Sequence, residues 1–503
     1  MQETVESCEG DDRRLGFNVK LRRDSDSPLV EITPWIPDLT HLLVYESQTF
    51  VPGKKIPVTE KKEIYWLSDD KKSGYFTVGM LKRVTRFLSE MGYKIEAEDC
   101  RDRKRYFPTP DWSVVPQLRE GQEEVLKAIV KSDNGLIVCP TGFGKSFIIT
   151  TLVMMYKTMR FLIVAPGISE TRNLYDRIIK LTNDVTLMNG SRRGNPEARV
   201  TITTSGSILK ADLQNVDMFI YDEAHTCGNN LTTQNILNNL RGSRIFGFTA
   251  TPKGRSDKSD MLIEALFGPP IVNLTYKDAQ QMGNVTPITV QIWDTPGEIQ
   301  SSKSPYGNAM TQNKRRFYWR NRDRNNLIAA LALSVPSDEQ VLIMVDTVEH
   351  LVMLGHLLPE FSLICGITND PGEEAKGMKI KLTNNYAKTK EDFTRMTHAF
   401  ASGELKRVIS TFCWKQAVDF PKLSVLIRAD GSKSPILGSQ IPGRMSRLCK
   451  GKETGLLIDF ADNFNESAKR KAIARFREYK KNGWQLIHMG EYGDYVSNPT
   501  ASK

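Results

Sequence analysis

A glycine-rich turn between an apolar run and a helical pattern is the segment of this 503-residue chain best suited to chemistry. It reads Cys139-Pro140-Thr141-Gly142-Phe143-Gly144-Lys145-Ser146. Such a turn lets backbone N–H groups surround phosphate oxygens at a helix N-terminus. The Lys145 ammonium can then reach terminal phosphates, and the Ser146 hydroxyl can bind Mg²⁺. The segment predicts a nucleotide-phosphate site, although Cys139 stands where the strict pattern has glycine.

Two adjacent carboxylates form a second candidate group. Asp222-Glu223-Ala224-His225 follows the apolar run 218–222, about 77 residues after Lys145. An acid at a strand end near a phosphate loop can hold Mg²⁺, and the next acid can orient or deprotonate an attacking water. Alone, the tetrapeptide could be a solvated acidic turn. Its position after an apolar strand favours a metal-binding Asp222 and a catalytic Glu223.

Apolar runs indicate the elements that must position these side chains. Five β-rich runs recur between helical patterns in the middle of the chain: 135–139, 161–165, 200–204, 218–222 and 244–248. Five similar runs follow: 341–345, 363–366, 407–411, 424–428 and 456–460. These runs are continuous rather than alternating, as is typical of buried parallel strands. The pattern therefore predicts two α/β domains with parallel sheets.

Changes in composition divide the chain into five predicted segments. They are a small α+β amino-terminal accessory domain (1–107), a first α/β domain (112–290), a linker (291–324), a second α/β domain (325–460) and a basic helical tail (461–503). Pro108, Pro110 and Pro116 mark the first boundary. Because the proposed chemistry lies after this boundary, we expect the first segment to supply substrate choice and to be separable.

The composition excludes several classes of protein. Hydrophobic residues make up 40% and charged residues 25% of the chain, close to globular averages. No apolar run approaches the roughly 20 residues that span a bilayer. The seven cysteines are scattered and argue against a disulfide framework or a structural zinc site. Lys and Arg number 69 against 59 Asp and Glu, and this excess of +10 favours a polyanionic partner.

With Asp222-Glu223-Ala224-His225, the chain resembles the superfamily 2 helicases and translocases, whose other motifs occur here in order. The segment 117–122 (QLREGQ) resembles the family's adenine-reading segment. Val164-Ala165-Pro166 and Thr203-Thr204-Ser205 resemble loops that grip the nucleic-acid backbone, and 248–252 (FTATP) resembles the coupling motif. The segment 440–447 (QIPGRMSR) matches the pattern Q-x-x-G-R-x-x-R, whose arginines meet the γ-phosphate.

The resemblance implies two tandem RecA-like motor domains, with ATP and Mg²⁺ as cofactors. The implied ATP-binding residues are Gln117, Arg119, Gln122, Pro140, Thr141, Gly142, Phe143, Gly144, Lys145, Ser146 and Asp419. The implied catalytic residues are Lys145, Asp222, Glu223, Gln440, Arg444 and Arg447, with Ser146 and Asp222 on the metal. The implied backbone-gripping residues are Pro166, Thr203, Thr204 and Thr411. Asp419 lies in Ala417-Val418-Asp419, a departure from the family's Gly-x-Asp.

Basic segments outside the motifs are further candidates for nucleic-acid contact. A predicted helix at 79–91 directs Lys82, Arg83 and Arg86 away from its apolar face, although such a face can also be merely solvated. In outline, the block containing it resembles the amino-terminal domain of phage recombination helicases of the UvsW type.

The segment 314–322 interleaves five basic residues with three aromatic ones. Arg315 and Arg316 could neutralise phosphates while the aromatic rings stack on bases. Alternatively, the segment is an amphipathic linker helix whose rings pack on a neighbouring domain. The tail at 466–481 combines a predicted docking stripe with basic residues, and it too could be a solvated helix.

Together, these patterns and the resemblance predict an ATP-driven motor on branched or duplex DNA, acting in fork remodelling, branch migration, replication, recombination or repair. We expect a cytoplasmic monomer with no membrane partner, in the host cytoplasm if it is phage-encoded. An RNA helicase is one alternative, because the same motor reads mainly phosphates. A non-catalytic, ATP-responsive binding module is another, but the presence of Lys145, Glu223 and Arg447 argues against it.

Overall fold

The computed structural model divides the chain into two compact units. The first comprises Met1–Leu118, Gln122–Val138 and Ser146–Asn273, and the second comprises Arg119–Gly121, Cys139–Lys145 and Leu274–Lys503. The structure describes residues 18–25, 27–49, 58–190, 192–227, 235–236, 238–250, 260–295, 309–366, 368–383, 385–414, 420–432 and 442–490. No helix among these residues is long and apolar enough to cross a membrane.

The amino-terminal block is a small α+β structure. Its five-stranded mixed sheet has the order β5-β6-β2-β1-β7, and β3 and β4 form a separate antiparallel pair. The strands are β1 (Asn18–Arg23), β2 (Leu29–Thr33), β3 (Val44–Thr49), β4 (Val58–Glu63), β5 (Tyr65–Leu67), β6 (Gly74–Thr77) and β7 (Lys94–Asp99). The helices are α1 (Leu39–Leu42), α2 (Leu81–Glu90) and α3 (Arg103–Tyr106). Helix α2 buries Val84 and Leu88, as the predicted helical pattern requires.

The first α/β sheet has seven parallel strands in the order β10-β11-β9-β12-β13-β8-β14. They are β8 (Asn134–Val138), β9 (Phe161–Ala165), β10 (Val185–Met188), β11 (Val200–Thr204), β12 (Met218–Asp222), β13 (Arg244–Thr249) and β14 (Pro270–Asn273). The helices are α4 (Gln122–Lys131), α5 (Lys145–Met155), α6 (Ile168–Ile178) and α7 (Asp260–Phe267). The five predicted strands are present, whereas the short edge strands β10 and β14 were not predicted.

The second α/β sheet also has seven parallel strands, in the order β17-β18-β16-β19-β20-β15-β21. They are β15 (Ile288–Asp294), β16 (Val341–Met344), β17 (Ser362–Ile364), β18 (Arg407–Ser410), β19 (Val425–Arg428), β20 (Gly455–Ala461) and β21 (Gln485–Gly490). Its unit contains α8 (Tyr276–Gln281), α9 (Ala309–Lys314), α10 (Arg322–Ser334), α11 (Val348–Leu357), α12 (Pro371–Gly377), α13 (Lys390–Ser402) and α14 (Glu466–Lys481). Two parallel sheets confirm the predicted fold class.

The second sheet extends past both ends of the predicted domain at 325–460. Strand β15 falls in the segments predicted as first domain and linker, and it pairs with β20 along its whole length. Strand β21 falls in the predicted tail and pairs with the other side of β15. Both strands were missed because β15 alternates buried and partly buried positions and β21 lies at the sheet edge, so neither has a continuous apolar run.

The amino-terminal block and the first α/β sheet share one hydrophobic core. A single cluster of buried residues runs from Val19 and Leu88 in the block to Leu136 and Phe267 in the α/β part. Gly79 lies directly on helix α7, where an added Cβ would come within 2.1 Å of the Glu264 carbonyl oxygen. The sheets on the two sides of the predicted boundary at 107 are separate, but the hydrophobic core is continuous across it.

Ion pairs join the block to the same α/β part. Arg23 and Arg101 both contact Asp133, and Arg105 contacts Asp217 with an N–O distance of 2.7 Å. Two of the cations in the predicted basic run at 101–105 are thus engaged within the protein. Their primary role in this structure is to hold the block in place.

The basic–aromatic segment (314–322) forms the end of α9 and a π-helical turn, Arg315–Trp319. The rings of Phe317, Tyr318 and Trp319 are at most 6% exposed, and Phe317 stacks on Phe464 with ring centroids 5.6 Å apart. Buried rings cannot stack on bases in this conformation. Base stacking by this segment was therefore the wrong alternative, and the packing alternative is the one that the structure supports.

Candidate functional site

The glycine-rich loop joins the buried end of β8 to the first turn of α5. Gly142 and Gly144 adopt φ values of 94° and 108°, which side-chain-bearing residues rarely adopt, and Lys145 begins the helix. Cys139 is fully buried, and burial raises the pKa of its thiol to about 12 despite the opposing charge of Lys145. Cys139 does not need a positive φ, which explains why the loop forms without glycine there. The geometry suits a phosphate cradle.

The segment 440–447, called the arginine motif below, is described from residue 442 onward. It packs against this loop within the second unit. The Ser446 hydroxyl donates to the Thr141 carbonyl at 3.2 Å, and an added Cβ on Gly443 would lie 3.0 Å from the Thr141 Cβ. Arg444 is 9% exposed and Arg447 is partly buried. Two segments separated by about 300 residues therefore meet where the sequence predicts that phosphate would bind.

The paired acids lie at the carboxyl end of β12. Asp222 is 8% exposed, and Glu223 adopts φ 55° and ψ 53°, a left-handed conformation that is strained for a residue with a side chain. The next turn is held by Thr226, whose backbone N–H and hydroxyl both donate to the Glu223 carbonyl. Strain of this kind clusters at functional sites. It fits the predicted catalytic position of Glu223.

His225 connects the paired acids to the predicted coupling motif. Its Nδ1 lies 3.2 Å from the Thr249 hydroxyl and 3.4 Å from Oε2 of Glu223. The histidine side chain is 5% exposed, so these contacts are shielded from water. His225 therefore contacts both the segment of Glu223 and the predicted coupling motif. Residues 251–252 of the coupling motif lie outside the described residues.

Register places the paired acids at the same edge of the first sheet as the carboxyl end of β8. Asp222 is opposite Phe248 of β13, and Phe248 is opposite Ile137 of β8. Adjacent strands lie about 4.8 Å apart, so the Cα atoms of Asp222 and Ile137 are about 10 Å apart. The loop that begins at Cys139 continues directly from β8. The carboxyl edges of parallel strands are where such folds bind ligands.

Ser146 and Asp222 are the side chains suited to Mg²⁺. Ser146 lies in the first turn of α5 and Asp222 ends β12, and both belong to the first unit. Among the described residues, no group of three or more His, Cys, Asp or Glu side chains is placed to hold a metal. Mg²⁺ commonly takes only one or two protein ligands and completes its shell with water and substrate phosphates. One hydroxyl and one carboxylate fit that mode.

The predicted adenine-reading residues lie just before and at the start of α4. Gln122 is 2% exposed and opens the helix, whereas Gln117 and Arg119 are exposed. Within the second unit, Asn284 Nδ2 donates to the Glu120 carbonyl at 2.7 Å. This contact holds the turn between Arg119 and Gln122 in a defined conformation. The predicted role of these residues in reading adenine stays a prediction.

The predicted backbone-gripping residues lie at the carboxyl edges of their sheets. Pro166 follows β9 and Thr204 ends β11, and Ala165 and Thr204 are directly opposite in register. Thr411 follows β18 in the second sheet, and its N–H donates to the Ile364 carbonyl. Thr204 and Thr411 are each 9% exposed, but Thr203 is fully buried. Thr203 thus has no exposed side chain for a nucleic acid in this conformation.

Several predicted DNA-contacting cations have partners inside the protein. Arg83 makes a bidentate ion pair with Glu264, in which the distance from Nε to Oε1 is 3.0 Å. Arg86 pairs with Glu90 of its own helix. Arg315 shares Glu349 with another arginine. Lys82 and Arg316 are exposed or partly exposed. Of the five cations, only these two form no ion pair with another residue in the described part of the chain.

Sequence reasoning missed two groups that shape the site. Ser446 occupies a variable position of the arginine motif, yet its hydroxyl contacts the phosphate loop. The Lys452 ammonium donates to the carbonyls of Pro421, Leu423 and Met445, at 2.6, 3.4 and 2.8 Å. It therefore ties the arginine motif to the segment before β19. No sequence signal distinguishes Lys452 from other lysines.

Two predicted site residues, Asp419 and Gln440, lie outside the described residues.

Comparison with known proteins agrees with these motifs. Residues 116–254 match the family described as "Type III restriction enzyme, res subunit". A curated relative, the DNA 3'-5' translocase XPB2 of Sulfurisphaera tokodaii, is 31% identical over 158 residues. That match spans 30% of this chain and 35% of the relative.

Among solved structures, Dbp5 shares the fold of this chain. Dbp5 from S. cerevisiae, bound to RNA and ADP-BeF3, has a TM-score of 0.53 at 15% identity, covering 76% of this chain and 93% of that chain. UvsW of T4 has a TM-score of 0.42 at 14% identity, covering 94% of this chain and 99% of that chain. The match at 116–254 contains both the phosphate loop and the paired acids. Residues 116–254 of this chain are therefore similar to the restriction-enzyme res subunit family in the segment that carries both motifs.

Proposed function

We propose that this protein is a DNA-dependent ATPase that translocates along or remodels duplex or branched DNA. The observation that carries the proposal is the packing of the arginine motif on the phosphate loop through Ser446 and Thr141. Paired acids at the end of β12 add a position for hydrolytic chemistry at the same edge of the first sheet. A binding module without catalysis would need neither a strained Glu223 nor an arginine motif on the loop.

Each part of the site has a separate task in the proposed reaction. Backbone N–H groups of residues 142–146 and the Lys145 ammonium bind the phosphates, and Glu223 orients or deprotonates the attacking water. Arg447 stabilises the charge that develops on the transferred phosphoryl group. Mg²⁺ held by Ser146 and Asp222 would neutralise phosphate charge. Because these groups act by position and charge, small displacements of the loop should alter turnover strongly.

Movement is proposed to follow from coupling between the site and the gripping loops. His225 links the segment of Glu223 to Thr249, and Lys452 links the arginine motif to the segment before β19. The first link reaches the end of β13 in the first sheet, and the second reaches the segment before β19 in the second sheet. ATP binding and hydrolysis would bias the positions of these elements and so the hold on the DNA backbone.

DNA is favoured over RNA by the nature of the sequence match. The family description refers to a restriction enzyme, and the curated relative is named as a DNA translocase. The likeness to the RNA-bound Dbp5 is at the level of fold. We infer that DNA is the substrate, and that the amino-terminal block contributes to recognition of duplex or branched forms. An RNA-dependent ATPase is the alternative outcome of the test below.

The deciding experiment measures ATP turnover with single-stranded DNA, duplex DNA, forked DNA, four-way DNA and RNA of matched length. We expect stimulation by DNA, with the largest effect from duplex or branched forms. Lys145→Ala serves as the catalytic control and should lower turnover by at least about 100-fold. Stimulation by RNA alone would contradict the DNA assignment. ATP turnover that Lys145→Ala does not reduce would contradict the site.

A further inference from the structure

The loop after edge strand β10 carries two arginines, Arg192 and Arg193, that lie outside every helicase motif considered above. Strand β10 runs parallel to β11, with Met188 opposite Thr203. The residue that follows Met188 is therefore level with Thr204, the predicted gripping residue at the end of β11. The loop thus starts at the carboxyl edge of the sheet, beside the proposed DNA-contacting segment.

Hydrogen bonds fix this loop at both ends. At its start, the Gly190 N–H donates to the Ser207 hydroxyl at 3.1 Å, and the Lys210 ammonium donates to the Gly190 carbonyl at 2.8 Å. At its other end, the Asn195 N–H donates to the Thr186 hydroxyl at 2.8 Å. Ser207 and Lys210 immediately follow the predicted gripping segment. The loop and that segment are therefore held together.

The two arginine side chains are exposed at the middle of the loop. Neither forms an ion pair with any carboxylate in the part of the chain that the structure describes. Arg199, just beyond the loop, is different because its guanidinium donates to the Tyr156 and Met159 carbonyls. The fold uses Arg199 for packing and leaves Arg192 and Arg193 available to an outside partner.

The nearby gripping residues cannot supply electrostatic affinity themselves. Pro166 and Thr204 are uncharged, so they can position a strand but release few counterions. Arginine can hold a phosphate through two parallel N–H donors, and two adjacent arginines can serve consecutive phosphates. A fixed loop lowers the entropy lost when they bind.

We propose that Arg192 and Arg193 form a phosphate-binding subsite for the DNA strand that passes Thr204. The subsite extends the nucleic-acid interface from β9 and β11 to edge strand β10. This inference rests on the proposed DNA-dependent activity, because it assumes that a strand lies along this sheet edge. It assigns the main electrostatic contact of the first α/β domain to a loop outside the motifs.

The test compares Arg192→Ala/Arg193→Ala with Lys131→Ala/Lys180→Ala. Lys131 ends α4 before β8, and Lys180 precedes β10, so the control pair lies toward the opposite, amino edge of the sheet. Both control lysines are exposed, and both double variants remove two positive charges. DNA affinity is measured between 50 and 200 mM salt, roughly the range over which counterion release is resolved. Thermal unfolding checks that each variant is folded.

Loss of two phosphate contacts should make the plot of log affinity against log salt shallower by about 1.4 for single strands or about 1.8 for duplex DNA. At 0.1 M salt, the same relation gives roughly 25- to 60-fold weaker binding. The control pair should keep the wild-type slope. Arg192→Lys/Arg193→Lys should restore the slope, because a lysine charge also displaces counterions.

Each outcome separates this inference from the proposed function. If wild-type protein shows DNA-stimulated ATP turnover but the alanine pair binds DNA like the control pair, the subsite is overturned and the proposed function stands. If wild type shows no DNA binding or stimulation, both are overturned. A change of slope with RNA but not with DNA would overturn the assignment of the subsite to DNA.

Discussion

The contact between Gly79 and helix α7 offers a test of whether the amino-terminal block and the first motor domain fold as one body. In Gly79→Ala, the new methyl carbon would lie 2.1 Å from the Glu264 carbonyl oxygen and 2.4 Å from that of Ala265. The neighbours are backbone atoms, so no side-chain rotation can relieve the overlap. The turn that contains Gly79 and helix α7 would have to separate by about 1 Å, and such overpacking costs about 1–3 kcal/mol or more.

Denaturant unfolding should therefore show Gly79→Ala to be less stable than wild type by about 2 kcal/mol, a roughly 30-fold change in the folding equilibrium. Gly206→Ala is the matched control, because its added Cβ would meet nothing within 4 Å and it belongs to the same unit. The control should stay within about 0.5 kcal/mol of wild type. A Gly79→Ala protein as stable as the control would refute the shared core.

The remaining predictions concern the site. Glu223→Gln should keep ATP binding but lower turnover by at least about 100-fold, as measured by single-turnover hydrolysis beside nucleotide titration; rapid hydrolysis would contradict its role. Arg447→Ala should impair hydrolysis far more than binding, and lost affinity with normal saturated turnover would make it a ground-state ligand. Because the pKa of Cys139 is about 12, only about one thiol in 10⁴ is ionised at pH 8, so alkylation and peptide mapping should find exposed Cys100 modified and Cys139 intact. Labelling of Cys139 in folded protein would contradict its burial.

The shared core also changes how the amino-terminal block is understood. Its residues Val78–Met80, just before helix α2, pack on α7, and Arg83 of α2 pairs with Glu264 of α7. Helix α7 is the described helix that follows strand β13 and its coupling-motif Thr249. The block therefore contacts an element close in sequence to the site. Removal of 1–107 would expose the packed surface of α7, so we no longer expect the block to be separable.

The sequence predicted where the motifs lie in the fold, because each motif is a short run beside a recognisable strand or helix. Gly142, Gly144 and Lys145 are adjacent, and the conformations that the two glycines adopt are those that the loop requires. Asp222 follows a continuous apolar strand, which predicts both the strand and its carboxyl-edge position. Similar local patterns predicted most strands of both sheets. Edge strands such as β21 lacked that pattern because they are only partly buried.

Tertiary packing alone decided which charged and aromatic side chains remain available to a partner. Arg475 lies in a tail that looks uniformly basic, yet it is 2% exposed and pairs with Asp459 and Asp462. The rings at 317–319 look equally suited to bases or to a core, and all three belong to a buried cluster with Phe464. Sequence states the charge or ring at each position. The residue that pairs with that charge or packs on that ring lies more than ten positions away in these cases, and more than a hundred for Phe317 and Phe464. Only folding brings the two side chains together.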